Sequence, residues 1–309
     1  MSADGAPVRI DARFVVDASG RDALTAHATG ATTKIGGLDQ TALYAHYEGV
    51  PREEGKLAGD IDIVLFGSGP PPEPGGAGPG APAASGARGG EAPARASAGA
   101  RPNWFWFIPF KDGRTSVGAV VSRAWMRDRR ARLGVVGDVA TSLFDVAVSE
   151  SPTAARLLEG ATRLWPRAEA TADFSYRVRA TSGAGWLAVG DAGGFIDPLF
   201  STGAHLAITG GKLAADAVAR ALDAPEEERS VVGAWDARVR AGAETFILAV
   251  QAFYAGPLVD YLFAEEKHTA LRRSITSLLA GDVYSDAVWL RDTRLRLQEM
   301  LASVGAAAG

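Results

Sequence analysis

The 309-residue chain contains no cysteine. That excludes disulfides, thiolate nucleophiles and zinc–thiolate sites. Its histidines, His27, His46, His205 and His268, lie far apart, and no two are spaced four residues apart as metal ligands on one helix are. No metal site is expected. Charge of one sign is also scarce: 32 Lys and Arg against 36 Asp and Glu leave a formal −4, so no broad basic surface invites nucleic acid. No apolar run reaches the ~18 residues of a membrane span. The opening MSADGAPVRIDARF lacks the basic and apolar regions of a signal peptide. A cytoplasmic globular protein without membrane or nucleic-acid partners is expected. With 47% hydrophobic residues it can build one large or two modest domains.

The chain carries strand patterns first and helical patterns later. VRIDARFVVDASGRD (8–22) reads as a hairpin strand, then a strand buried on both faces that ends at Asp17. Residues 41–50 and 61–68 alternate as antiparallel strands. Residues 69–101 are almost entirely Gly, Pro, Ala and Ser. They cannot bury enough apolar area to offset their ordering entropy, and are expected to be a disordered loop inside one sheet. NWFWFIPFKDGRTSVGAVVS (103–122) is a hairpin turning at Asp112-Gly113. Residues 137–149 form an amphipathic helix with Val139, Leu143, Val146 and Ala147 on one face. DFSYRVRA is a strand, and GWLAVGD (185–191) is a second buried one. From Ser201 the spacing predicts helices over 203–222, 228–254, 257–279 and 285–303, with breaks at Pro225 and Pro257. The fold class is therefore α/β with an α+β insert: two parallel-type strands far apart in sequence, a mostly antiparallel sheet between them, and a helical C-terminal region. The expected division is 1–30 with 175–222, then 31–174, then 223–309.

WLAVGDAGGFIDPLFSTGAHLA (186–207) is where the chemistry concentrates. Its strand ends in Gly190-Asp191, at the carboxyl end where open α/β sheets bind ligands. Asp191 offers a carboxylate to a sugar or ribityl hydroxyl. Ala192, Gly193 and Gly194 let backbone amides approach a ligand closely. Asp197-Pro198 fixes the chain and presents a flat apolar face. Ser201 or Thr202 suits an N-cap. The helix that follows points its free amides back into the crevice, where they suit a small anion or a polarised carbonyl. His205 lies one turn into that helix and reads either as a crevice-facing polar group or as a half-buried histidine.

This string resembles the flavin-ribityl motif of FAD-dependent aromatic hydroxylases and halogenases, and its GFIDPLFSTGAHLA portion is more similar to the halogenases. ARFVVDASGRDA resembles the family's second flavin-domain strand. Trp104-x-Trp106-x-Ile108-Pro109 matches the WxWxIP motif of flavin-dependent halogenases, and LLAGDVYSD (278–286) also fits. The resemblance covers most of residues 8–222. It implies a Rossmann-like FAD-binding core carrying an inserted substrate sheet. It also implies a partner reductase that supplies FADH2, a halide oxidised at the flavin to hypohalous acid, and a lysine that handles this acid beside an electron-rich aromatic substrate, free or carrier-tethered. Asp17, Gly190, Asp191, Ala192, Gly193 and Pro198 would then hold FAD. The Thr202 and Gly203 amides would hold the halide. Trp104, Trp106, Ile108 and Pro109 would keep flavin and substrate apart. Without the resemblance, alternating Trp104 and Trp106 read first as sheet packing, and Asp17 reads equally as a turn cap.

One family element has no counterpart. A strand–GxGxxG–helix string, which seats a dinucleotide pyrophosphate on a helix N-terminus, does not occur here. Roughly a hundred residues of the family pattern, the catalytic lysine among them, have no match. Lys34, Lys56 and Lys111 stand in other contexts and inherit no role. The resemblance thus points to the C-terminal part of a halogenase, from a truncated reading frame, a split enzyme or a decayed gene. A related FAD monooxygenase and an inactive fragment are the alternatives.

Overall fold

A computed structural model describes residues 8–29, 32–67, 102–134, 137–264, 269–285 and 288–307. The proposed loop at 69–101 lies outside the described residues. In chain order the elements are β1 (Val15–Asp17), α1 (Leu24–Thr29), β2 (Thr32–Lys34), β3 (Gln40–Glu48), β4 (Asp62–Phe66), β5 (Asn103–Pro109) and β6 (Thr115–Ser122). Then come α2 (Arg123–Leu133), α3 (Val139–Ser149), α4 (Pro152–Leu157), β7 (Thr162–Arg163), β8 (Glu169–Ala172), β9 (Tyr176–Val178), β10 (Ser182–Gly183), β11 (Trp186–Ala188) and β12 (Gly194–Phe195). Five helices complete the chain: α5 (Thr202–Asp223), α6 (Glu228–Tyr254), α7 (Pro257–Phe263), α8 (Thr269–Leu279) and α9 (Val288–Ala307). No single helix among the described residues is long and apolar enough to cross a membrane.

Two compact units result. One comprises Met1–Leu38, Ser175–Gln251 and Glu266–Gly309; the other comprises Asp39–Phe174 and Ala252–Glu265. The helices after residue 223 are thus divided between the units.

In the first unit β1 pairs in parallel with β11, and β10 adds an antiparallel edge. The register sets Asp17 opposite Ala188, so both strands end side by side, just before Gly190-Asp191. A second small sheet runs β12-β9-β2, antiparallel throughout. Leu187 is buried with Ala214, Ala217, Val231 and Trp235 of α5 and α6. β1 differs from expectation. Residues 8–14 form no strand, and Val15 and Val16 remain 49% and 48% exposed. Successive side chains point to opposite faces of a strand, so the exposure of both valines means that neither face of β1 is covered by the described residues.

In the second unit the strand order is β4-β5-β6-β3-β7, with β8 also pairing β3, all antiparallel. Alternation sorts the two faces. Leu43, Ala45, Tyr47, Phe105, Phe107, Val117, Ala119 and Val121 form a core with Leu143, Phe144 and Ala147 of α3. Burying a side chain such as Phe144 contributes about 2–3 kcal/mol. Tyr44, Trp104 and Trp106 belong to the opposite face. The turn between β5 and β6 contains Gly113 at φ +94°, the left-handed conformation that makes Asp-Gly a turn signal.

Two expectations about helices change. The 257–279 stretch is two helices, because Ala264 adopts an extended conformation (φ −64°, ψ 138°) that ends α7. The highly charged RAWMRDRRARL also forms a helix, α2, capped by Ser122 accepting from the Trp125 amide. Its few apolar residues give periodicity nothing to register.

Candidate functional site

The 186–207 turn begins where β11 ends. Gly190 stands at φ +57°, and a Cβ there would lie 3.0 Å from the Ala207 Cβ. Gly194 is more constrained: its φ is +142°, and a Cβ would lie 2.9 Å from the Tyr176 carbonyl oxygen. Glycine is therefore required by backbone conformation and by close approach alike. Ala192 is buried beneath the turn. The Tyr176 hydroxyl donates to the Asp191 carbonyl oxygen at 2.6 Å, which fixes the turn from β9.

Gly190, Asp191, Gly193, Thr202 and Gly203 line one cleft of about 420 Å³. That volume is in the range of sites for small organic ligands. The Asp191 carboxylate is half-buried, and no hydrogen bond to it is found among the described residues. Burial pushes its pKa up, and the Arg21 charge partly opposes the shift. An acceptor of this kind, facing a cleft without a protein partner, suits a ligand hydroxyl.

At the other end of the turn, Ser201 occupies the N-cap of α5 in a left-handed conformation (φ 52°, ψ 33°), and its side chain makes no capping bond. The first amides of a helix have no intrahelical partner. No partner outside the helix is found for them among the described residues, and amides of this kind suit an anion or a carbonyl. Asp197 is buried and bonds the Leu199 amide at 2.9 Å, which shapes the approach to the helix. Pro198 is half-buried and accepts from the Ser201 amide at 3.0 Å; it does not line the cleft.

Asp17 is engaged differently. One carboxylate oxygen accepts from the Ser19 amide and hydroxyl (2.9 and 2.6 Å), the other from the Thr25 amide and hydroxyl (2.8 and 2.6 Å). Burial disfavours its charge, but these four bonds outweigh it and hold the carboxyl well below the usual range.

In the second unit Trp104 is buried, and its indole N–H donates to the Tyr254 hydroxyl at 2.9 Å. Trp106 is half-buried and donates to the Ser116 hydroxyl at 3.1 Å. Its indole lies flat over Gly118, where a Cβ would sit 2.1 Å away. Tyr44 and Trp165 extend this aromatic face, and the His46 ring lies tilted against Trp165, 4.3 Å between centroids. Ile108 and Pro109 continue β5 opposite Ser116 and Thr115. His205 does not face the cleft. It packs against Gly281 and Tyr284, and its Nδ1 is buried without a partner.

Sequence reasoning missed Tyr176 and the α6 and α9 residues lining the cleft, Trp235, Arg240 and Arg294 among them. Arg294 lies 91 residues beyond Gly203 in the chain, and no local pattern marks so distant a partner.

Comparison with known proteins places this geometry in a family. A family model for tryptophan halogenase matches residues 81–279. The flavin-dependent halogenase armH3 of Armillaria mellea is 29% identical over 157 residues, covering 49% of this chain and 31% of that protein. The 1H-pyrrole-2-carbonyl-(peptidyl-carrier protein) chlorinase of Pseudomonas fluorescens is 23% identical over 279 residues, covering 90% of this chain and 54% of that protein. The chain thus spans about half the length of that relative, and a smaller share of armH3. The structure of the flavin-dependent brominase Bmp2 superposes with a TM-score of 0.75 at 21% identity, covering 98% of this chain and 65% of that one. More than half of the chain falls within the family model, and the chain belongs to the tryptophan halogenase family.

Proposed function

We propose that the chain forms the flavin-ribityl and halide part of an FAD-dependent halogenase acting on an electron-rich aromatic compound. One observation carries this reading: a single cleft brings together the Asp191 carboxylate, unpartnered among the described residues, the close-approach glycines Gly190 and Gly194, and the uncapped start of α5 at Thr202-Gly203. The residues fit the flavin end of FAD. Asp191 accepts from a ribityl hydroxyl, the glycines admit the chain of the ligand, and the α5 amides meet a carbonyl or a halide. Bound there in reduced form, FAD supplies the oxygen activation from which an electrophilic halogen arises.

The protein's own contribution is placement. Gly190 and Gly194 hold a backbone path that a side chain would obstruct. The Tyr176 bond keeps Asp191 in position. The free amides of α5 stabilise negative charge without a titrating side chain. Trp104, Trp106, Ile108 and Pro109 have the halogenase role of keeping substrate apart from flavin, and Gly118 is what lets Trp106 lie flat. Reduced flavin comes from a separate reductase. The pyrrole chlorinase named above acts on a carrier-bound substrate, so a carrier-tethered aromatic is one candidate class.

The test is direct. FAD is added to the purified chain and its retention measured by gel filtration and fluorescence, and product is then assayed with a reductase, halide and aromatic acceptors. Retention at micromolar affinity, lost in Asp191→Ala, supports the reading. A chain that retains no flavin contradicts it.

A further inference from the structure

Three arginines line the flavin cleft: Arg177, Arg240 and Arg294. Two are neutralised by carboxylates, Arg177 by Glu244 at 2.7 Å and Arg240 by Asp236 at 2.8 Å. Arg294 is different. Its Nε donates to the Thr245 hydroxyl and its Nη2 to the Ala241 carbonyl oxygen, both neutral acceptors, and no carboxylate pairs with it among the described residues. Thr245 is fully buried, and its own hydroxyl donates to the same Ala241 carbonyl at 3.1 Å. The guanidinium is therefore anchored to α6 rather than left on a flexible stem. A guanidinium has five N–H donors. Two are engaged here, and no partner for the others is found among the described residues.

The surroundings say which ligand. Trp235, Val239, Ile247 and Leu206 line the same cleft and suit a flat heteroaromatic ring better than a bare inorganic anion. A ring of that kind that gains negative charge on one edge when reduced is a flavin, and charge placed near that edge is a lever by which a protein tunes a flavin. We infer that Arg294 is a flavin-positioning cation that makes the cleft prefer reduced over oxidised flavin, through the guanidinium that Thr245 and Ala241 hold in place. The inference rests on the flavin reading above and goes beyond it. It assigns the choice of oxidation state to α9, a helix that contains no flavin motif. An enzyme that receives its flavin already reduced needs such a preference, because a cleft indifferent to oxidation state would fill with the oxidised form.

The experiment titrates the full chain with riboflavin and with FAD, each oxidised and, under anaerobic conditions, reduced. Absorbance and fluorescence give the four dissociation constants. Wild type is expected to bind the reduced form more tightly. Arg294→Gln should weaken reduced-flavin binding roughly tenfold to a hundredfold, the range for a hydrogen bond to a charged group, and leave oxidised-flavin binding within about threefold, small beside that range. Arg294→Lys should recover part of the preference. Because riboflavin lacks phosphates, the same pattern with both ligands assigns the effect to the ring, whereas an effect seen with FAD alone overturns the inference in favour of phosphate binding. Equal weakening of both oxidation states marks a structural role and also overturns it. If Arg294→Gln does not fold, Thr245→Val removes the Nε acceptor at constant volume and must reduce the preference in the same direction. Wild type that binds neither form contradicts the flavin reading and this inference together. Wild type that binds both forms equally leaves the flavin reading standing and overturns the inference alone.

Discussion

Asp17 and Asp191 stand at the carboxyl ends of two paired parallel strands, yet their surroundings shift their acidity in opposite directions. Asp17 is buried, but four hydrogen bonds from Ser19 and Thr25 stabilise its charge. Its folded pKa lies below the unfolded value, so its contribution is full above the ordinary carboxylate range and is lost as pH falls. Asp17→Ala is expected to cost roughly 2–3 kcal/mol at neutral pH, and the deficit in urea midpoint should shrink on acidification. Asp191 has burial without bonds, so its folded pKa is raised. Its ionised form destabilises the ligand-free fold, and relative stability returns as pH falls through the folded pKa. Asp191→Asn should therefore melt above wild type at neutral pH, the gap closing in acid, while losing flavin affinity. If Asp191→Asn melts below wild type at pH 7, the carboxylate has a structural partner and is not reserved for a ligand. The sequence shows Asp17 and Asp191 equally as strand-end carboxylates. What separates them is local spacing for Asp17, whose partners sit two and eight residues on, and the absence of any such partner for Asp191.

At the scale of elements, the hairpin β5–β6 is the most legible part of the chain. Asp112-Gly113 gives the turn, and alternation gives the faces. Its register explains why position 118 is glycine: Gly118 pairs with Trp106 and lies beneath its indole. Gly118→Ala should displace the ring or strain the sheet, at about 1–3 kcal/mol for overpacking. Near-ultraviolet circular dichroism should change with the melting temperature. An unchanged spectrum and midpoint would show that the indole has other room. The start of α5 was equally legible, because Ser-Thr-Gly after a proline signals a helix start. β1 was less so. Two adjacent valines read as a buried strand, but burial depends on what packs on both faces, and sequence pattern does not report what covers a strand. α2 was hidden for a related reason: its stability comes from the Ser122 cap and the Trp125 anchor in the sheet core rather than from an apolar stripe. The far side of the cleft was illegible because Arg294 and Trp235 reach the turn through tertiary packing alone.

On the scale of the whole molecule, the chain passes between the two units four times, and one passage falls inside α6, between Gln251 and Ala252. The passages at Leu38–Asp39 and Phe174–Ser175 lie outside regular helix. α6 runs unbroken from Glu228 to Tyr254, and Phe246, Ile247, Leu248, Ala249, Val250, Ala252, Phe253 and Tyr254 are all buried. The passage leaves only the last turn of α6, Ala252–Tyr254, in the second unit, and parting the helix there loses the backbone bonds of that turn. Melting either unit alone would require such a break in a buried segment. The two units should therefore unfold together. A ligand bound to one unit then protects both, by about 2.7 kcal/mol at a hundredfold excess over its dissociation constant. Hydrogen exchange with and without FAD measures this. Protection should rise in β11 and α5, which carry the cleft, and by a similar amount in the slowest amides of β5 and β6, which carry none of it. Protection confined to β11 and α5 would mean that α6 frays at Gln251 and that the units hold their stabilities separately. Helix-breaking Ala252→Pro offers the complementary measurement: if α6 is the coupling element, this variant should turn one transition into two.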